Sequence, residues 1–309
     1  FYNEAMNCPA DYNNLRNPHK WQLTFNLKVN ANAIPDGDTL RVWLPFPMET
    51  TRQTNVKFLK SSDPIKVSQG TFHTTAYMEG VAHKDQPTNF SITYSFVSHE
   101  QHFTRADIMS SLKPYDTSSE LYKQYTAEEY PHIIKTEKLK KLAHTIVGEE
   151  KNPVLQASMI YDWIATNFPW AGAREYSTIP NIPEYVVENS HGDCGQVALL
   201  YITLVRCLGI PARWESGFML HPGAENYHDW AETYFEGTGW VATDPSFGRS
   251  TTGESLADYY KTGIDLYRFV VNKGVNGSFD PKKNYIRSET VDNQAGEVEW
   301  KNGNLEYKD

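Results

Sequence analysis

Cysteine is scarce in this chain, with three among 309 residues: Cys8, Cys194 and Cys207. An odd count excludes a complete disulfide framework, and the spacings fit no zinc-ligand pattern. Basic residues are the minority, 29 Lys and Arg against 38 Asp and Glu, for a formal net charge of −9. With no basic stripe, that balance argues against a nucleic-acid partner. No apolar run approaches the roughly twenty residues that span a bilayer. There is no EF-hand loop, no internal repeat and no low-complexity tract, and no cofactor or metal is expected. What remains is an ordinary globular balance, 39% hydrophobic and 22% charged, in a chain long enough for two cores. It opens on Phe1 and has an Asn-rich, aromatic-rich, Lys-poor texture. The expectation is an exported protein (periplasmic, cell-surface or secreted) whose leader is absent from the given chain.

The first third reads as β structure. Trp21, Leu23, Phe25, Leu27 and Val29 alternate, Pro35-Asp36-Gly37-Asp38 makes a turn, and Leu40, Val42, Leu44 and Phe46 alternate again. Further short strands are expected over 55–59, 71–77 and 90–96. Strands at this spacing predict an antiparallel sheet or small sandwich. His73, His83, His99 and His102 lie in polar stretches and are expected in solvent. Residues 105–115 show no clean period, and 113–117 read as a linker. A domain boundary near residue 118 follows, giving an N-terminal β domain over 1–118 and a second domain over 119–309.

Helical spacing then takes over. Leu139, Leu142, Ala143 and Ile146 share one face before Gly148. Asn152-Pro153 is a cap followed by a first-turn proline, and Val154, Ala157, Ile160, Tyr161 and Ile164 form an inner stripe. A loop over 171–180 and a short helix over 183–188 lead to His191-Gly192-Asp193-Cys194-Gly195-Gln196. Gly192 and Asp193 read as a turn and a cap. Val197, Leu200, Tyr201, Leu204, Val205 and Leu208 continue at helical spacing until Gly209. Cys194 is thus expected in the first turn of a buried helix, where the dipole favours a thiolate. Cys207 lies thirteen positions on, about 220° around the helix, and is expected in core packing. Cys8 stands as free or as a partner for Cys207 in an oxidising compartment.

Two strands follow. His228 opens one, with Ala231, Thr233 and Phe235 alternating. Gly237 and Gly239 turn the chain, and 240–243 form the other, closing at Asp244-Pro245. A hairpin places His228 and Asp244 at one sheet end. A thiol, an imidazole and a carboxylate in that order suit nucleophilic catalysis. The carboxylate fixes the tautomer on one ring nitrogen, and the other nitrogen faces the sulfur. Acyl transfer also needs donors at the developing oxyanion. The Cys194 N–H, Trp170 by position and Gln196 are the candidates. His221, Asp229 and Trp230 are candidates for lining the cleft, and His191 reads as a loop residue.

These motifs resemble the transglutaminase-like superfamily of papain-like thiol enzymes. The matching runs are Gly192-Asp193-Cys194, Gly209 to Arg213, His228 to Glu232 and Gly239 to Pro245. The resemblance covers residues of about 130 to 250. It implies an α+β fold in which the helix carrying Cys194 packs on an antiparallel sheet, behind an all-β, sandwich-like domain. It implies Cys194 as nucleophile, His228 as base and Asp244 as orienting acid, with Glu232 pairing to Arg213. The reaction expected is hydrolysis of a peptide, protein or cell-wall amide through a Cys thioester. Protein-glutamine transglutaminase activity, or a non-catalytic binding scaffold, stand as alternatives. Amine transfer needs a second pocket that excludes water, and nothing in the sequence marks one.

Overall fold

A computed structural model of the chain describes residues 14–172, 174–248 and 254–306; Cys8 lies outside them. The chain folds as two compact units, each discontinuous in sequence. One takes residues 19–98, 216–218 and 269–309, the other 1–18, 99–215 and 219–268. The sequence reading drew one boundary near residue 118. The late strand Glu297–Trp300 pairs with the early strand Thr39–Pro45, which makes the first of these units discontinuous in sequence.

The first unit is β-rich. Its strands are β2 (Thr39–Pro45), β3 (Gln53–Ser61), β4 (Ile65–Gln69) and β5 (Thr74–Val81), with residues 19–29 of β1 (Leu15–Val29) and 88–98 of β6 (Thr88–His102). β6 lies between β1 and β3. In the second sheet β2 runs antiparallel to β5, with Leu40 opposite Gly80 and Leu44 opposite Ala76. β5 pairs in turn with β4. The strand Glu297–Trp300 covers the other edge of β2. Alternation sorts the side chains: Leu40, Val42, Leu44, Phe90, Ile92 and Phe96 are fully buried, as period-2 patterning requires. Aromatic rings fill the core, with Phe46 at 5.5 Å from Tyr94 and Phe96 stacked on Phe269 at 4.9 Å. The apolar face of β1 is only half-buried.

His73, expected in solvent, is buried in this unit. Its Nδ1 lies 2.7 Å from Asn272 Oδ1, and its Nε2 accepts the Gly277 N–H at 3.0 Å. Burial holds its pKa down to about 3, so the ring is neutral. His102, in the other unit, is buried as well. Neighbours distant in sequence bury both rings, so the local polar context gave the wrong expectation.

The second unit is built around the helix Cys194–Cys207, whose residues Gly195 to Arg206 are all buried. Against it pack the helices Glu137–Val147, Pro153–Asn167 and Ile182–Asn189. The cap expected at Asn152 is present, and Thr136 caps the helix before it. Thr136 accepts from Leu139 N, and Asn152 accepts from Val154 N and Leu155 N, with Pro153 in the first turn. Gly209 ends the central helix at φ +76°, in the left-handed region where glycine costs least. Arg206 fastens that end through Ala212 O, Ala127 O and Glu129. Cys207 is half-buried and lies near Lys135 and Lys140, so it sits at the edge of the packing, not inside it.

Three further strands face the helix: β7 (Ala212–Met219), β8 (Asn226–Phe235) and β9 (Gly239–Thr243), in that order. β8 and β9 form the expected hairpin, Ala231 opposite Thr243 and Phe235 opposite Gly239. Arg213 and Glu232 pair at 2.6 Å, and the guanidinium lies 3.9 Å over the Trp240 ring. Among the elements that escaped the sequence reading are β4, β7 and the helices Arg105–Ser111 and Glu254–Lys261. The first of those helices is fixed by a capping box between Thr104 and Asp107, a four-residue signal where hydrophobic periodicity gives none. Among the described residues no helix is long and apolar enough to cross a membrane.

Candidate active site

His228 and Asp244 are held by the hairpin. His228 lies on β8, three residues before Ala231, where the ladder with β9 ends, and Asp244 directly follows β9. Nε2 of His228 lies 2.7 Å from Asp244 Oδ2, and both side chains are buried. That bond puts the ring proton on Nε2 and leaves Nδ1 as the basic nitrogen.

The carboxylate is itself held on every side. Ser246 donates to Oδ1 through N at 3.2 Å and Oγ at 2.6 Å. Arg268 reaches Oδ2 at 3.1 Å and also pairs with Asp265 at 3.1 Å. The Asp244 N–H donates to Tyr260 O, and the Tyr260 hydroxyl donates to Asp265. Burial alone raises a carboxyl pKa, but His228 and Arg268 outweigh it, so Asp244 sits below the usual carboxylate range. For His228 burial dominates and Arg268 adds to it, and the pKa falls below 6.5 despite Asp244. The resting ring is therefore neutral at physiological pH.

The thiol is set differently. Asp193 caps its helix, accepting from Gln196 N at 2.9 Å, while Gln196 Oε1 accepts from Asp193 N at 3.3 Å. This is a reciprocal capping box. The Cys194 thiol donates to Asp229 Oδ2 at 3.3 Å, one residue along β8 from His228. Tyr176 donates to Asp193 Oδ1 at 2.5 Å. The space above Gly195 is closed: a Cβ there would lie 2.3 Å from the Tyr176 hydroxyl and 2.7 Å from Asp229 Oδ2. Only glycine fits after the cysteine. Burial and the nearby carboxylates of Asp229 and Asp193 push the Cys194 pKa well above that of an ordinary thiol. The sequence reading expects a thiolate favoured by the helix dipole. Two carboxylates and desolvation outweigh a dipole of about 0.3–1 kcal/mol, and the resting sulfur is protonated.

The other expected residues fall in varied places. Trp170 is 63% exposed and its backbone bridges to Gly192, beside the turn before Cys194. It shares a small hollow with Val197 and Ser246. Gln196 is 1% exposed, and its Nε2 has no hydrogen-bond partner. Asp229 touches the sulfur, closer than a cleft wall. Trp230 lines nothing open: it is fully buried, stacked 5.9 Å from His228 and donating to Glu215 at 2.6 Å. Its inward place on β8 makes it a floor under the base. His221 is half-buried and reaches Asp265 at 3.3 Å, so it touches the network behind Asp244. The sequence reading missed Tyr176, Arg268, Asp265, Tyr260 and Ser246. Only Ser246 had a local signal, standing two residues after a carboxylate that ends a strand, where an Asx-type turn forms.

Residues 140–245 match the family model of the transglutaminase-like superfamily core. The chain is 25% identical over 149 residues to the uncharacterized protein YebA of Bacillus subtilis (strain 168), covering 42% of this chain and 20% of that one. It thus spans about a fifth of that relative's length. Its fold is similar to that of a putative cysteine protease from Cytophaga hutchinsonii, with a TM-score of 0.60 at 18% identity over 84% of this chain and 83% of that one. The periplasmic domain of TgpA from Pseudomonas aeruginosa aligns with a TM-score of 0.38 at 13% identity, over 72% of this chain and 92% of that one.

Proposed function

The chain carries a transglutaminase-like core over residues 140–245, and on that premise we propose that it is a thiol-dependent enzyme that hydrolyses an amide bond. The observation that carries the reading is the buried 2.7 Å bond between His228 Nε2 and Asp244 Oδ2, with Cys194 held one residue away on Asp229. When substrate enters, the thiol turns from Asp229 to Nδ1 of His228 and gives up its proton. The sulfur attacks the carbonyl carbon. The imidazolium, steadied by Asp244, returns the proton to the departing amine, leaving a thioester on Cys194. Water, deprotonated by the same ring, attacks the thioester and frees the acid.

Two donors serve the oxyanion in this account. One is the Cys194 N–H, an open position in the first helical turn. The other is Gln196 Nε2, whose oxygen end is fixed by the capping box while its nitrogen is buried without a partner. Trp170, mostly in solvent, covers the approach. The substrate is a peptide, protein or cell-wall amide met outside the cytoplasm.

The test is a panel of peptides and cell-wall fragments, read by mass spectrometry with and without an added primary amine. New carboxylate ends that require Cys194 and His228 support hydrolysis. Amine incorporation in place of hydrolysis makes the chain a transferase. No acyl-enzyme and no product from any amide would refute the catalytic reading.

A further inference from the structure

The unit that holds Cys194 contains a second cavity, of about 360 Å³, whose walls include no residue placed in the reaction above. Small-molecule sites usually begin at about this volume. Its inner wall is apolar. Val154, Ala157, Tyr201 and Phe235 are buried there, and Phe103 and Tyr259 add aromatic faces. Tyr201 spends its hydroxyl on Thr233 at 2.8 Å. The inner surface therefore accepts an apolar body, flat or branched.

The polar groups gather on one side. Arg105 lines the cavity, is exposed, and makes one contact, to Ser158 Oγ at 3.5 Å; among the described residues it forms no ion pair. Lys261 also lines it, but Asp162 at 2.9 Å and Asp258 at 2.8 Å neutralise that ammonium. His102 contributes a buried ring, parallel to Tyr259 at 4.9 Å, whose Nδ1 has no hydrogen-bond partner. Its ring is neutral: burial and Arg16 lower its pKa to about 4, against a smaller opposing effect from Asp107. Arg105 and Lys261 balance Asp162 and Asp258 in charge, and the Arg105 guanidinium is the cation that forms no ion pair among the described residues. A buried ring nitrogen without a partner is an unmet polar group, and an occupant with a polar atom would satisfy it.

We propose that this cavity is a binding site for a small monocarboxylic acid with an apolar or aromatic body. The carboxylate takes the planar fork of Arg105, which suits two parallel bonds, with Ser158 beside it. The body lies against Phe103, Phe235 and Val154. A single unpaired cation and the carboxylate of Asp258 at the wall disfavour phosphates and other multiply charged anions. The residues Tyr259 to Thr262 form one wall, and Tyr260 between them receives the Asp244 N–H. The site thus borders the segment that holds the orienting acid, without sharing a residue with the thiol.

The experiment is calorimetric titration of the full chain, carrying Cys194→Ala to silence turnover, with 3-phenylpropionate and with the neutral 3-phenylpropionamide. Saturable binding of the acid at or below about 1 mM, at least tenfold tighter than the amide, is expected. Arg105→Gln, an exposed change that leaves packing alone, lowers acid affinity about tenfold. Ser158→Trp, which fills the mouth, removes binding of both. Equal binding of acid and amide, or acid affinity unchanged in Arg105→Gln, overturns the carboxylate assignment. Binding that survives Ser158→Trp in a folded protein overturns the cavity. Neither result bears on whether Cys194 is a nucleophile.

Discussion

The two halves of the candidate active site are built on opposite electrostatic plans. Around His228 the carboxylates are held by one cation and by hydroxyls: Asp244 and Asp265 share Arg268, and Ser246 and Tyr260 close the remaining positions. Around Cys194 the nearest charged groups are two carboxylates, Asp193 and Asp229, and the sulfur donates to one of them. The imidazole is held in one orientation, and the thiol is kept protonated and turned to the neighbouring residue Asp229. On the proposed mechanism, catalysis needs one reorientation of a thiol, not the assembly of a network.

The largest effect expected from breaking this contrast comes on the ordered side. Asp244→Asn removes the charge that supports the imidazolium and the acceptor that fixes the tautomer, and activity should fall about 10²–10⁴-fold with little change in fold. Steady-state kinetics with circular dichroism on the same samples would show this. Next is Arg268→Met, which leaves Asp244 and Asp265 buried without their cation. Loss of one partner of a buried pair costs about 3–5 kcal/mol, visible as a lower Tm. Both carboxyls are depressed below the usual range. Their stabilisation is present above about pH 3.9 and lost as pH falls through the lower folded values. Without Arg268 those values rise, so acid unfolding should begin at higher pH.

On the thiol side the effects are smaller and of opposite sign. Asp229→Asn removes the nearer carboxylate, lowers the Cys194 pKa and should speed alkylation at pH 7 roughly tenfold, the equivalent of one pKa unit. The ring of His228, with its pKa below 6.5, stays a neutral base down to that pH. The acid limb of the rate profile should therefore lie below 6.5, not above it. The smallest change is Tyr176→Phe, which deletes one hydrogen bond to Asp193. About 1 kcal/mol of stability is expected to go, measured by denaturant titration.

Much of this contrast was legible before any coordinates, and unevenly so. The His228–Asp244 bond followed from two strands, a glycine turn and the placement of each residue at a strand end. The Asp193 cap followed from a polar residue before an apolar helical stripe. The Arg213–Glu232 pair followed from family resemblance. Tyr176 did not, because it approaches Asp193 from a loop with no periodic pattern. Arg268 lies twenty-four residues beyond Asp244, past the helix Glu254–Lys261. The burial of His73 and His102 was equally hidden, since rings and strands far along the chain enclose them. Asp229 reads in sequence as a cleft residue, whereas its contact with the sulfur joins β8 to a helix start thirty-five residues earlier. Local patterning thus fixes what a residue's own segment decides, and long-range charge and burial stay outside it.

The central claim, that His228 is the base for Cys194 once the thiol leaves Asp229, is tested most directly by alkylation. The rate of iodoacetamide labelling at Cys194 would be followed against pH in the chain as given, in Asp229→Asn, and in Asp229→Asn with His228→Ala. The account predicts slow labelling at neutral pH in the first, faster labelling in the second, and loss of that gain in the third. A gain that persists without His228 would show that the ring does not act on the thiol, and would contradict the account.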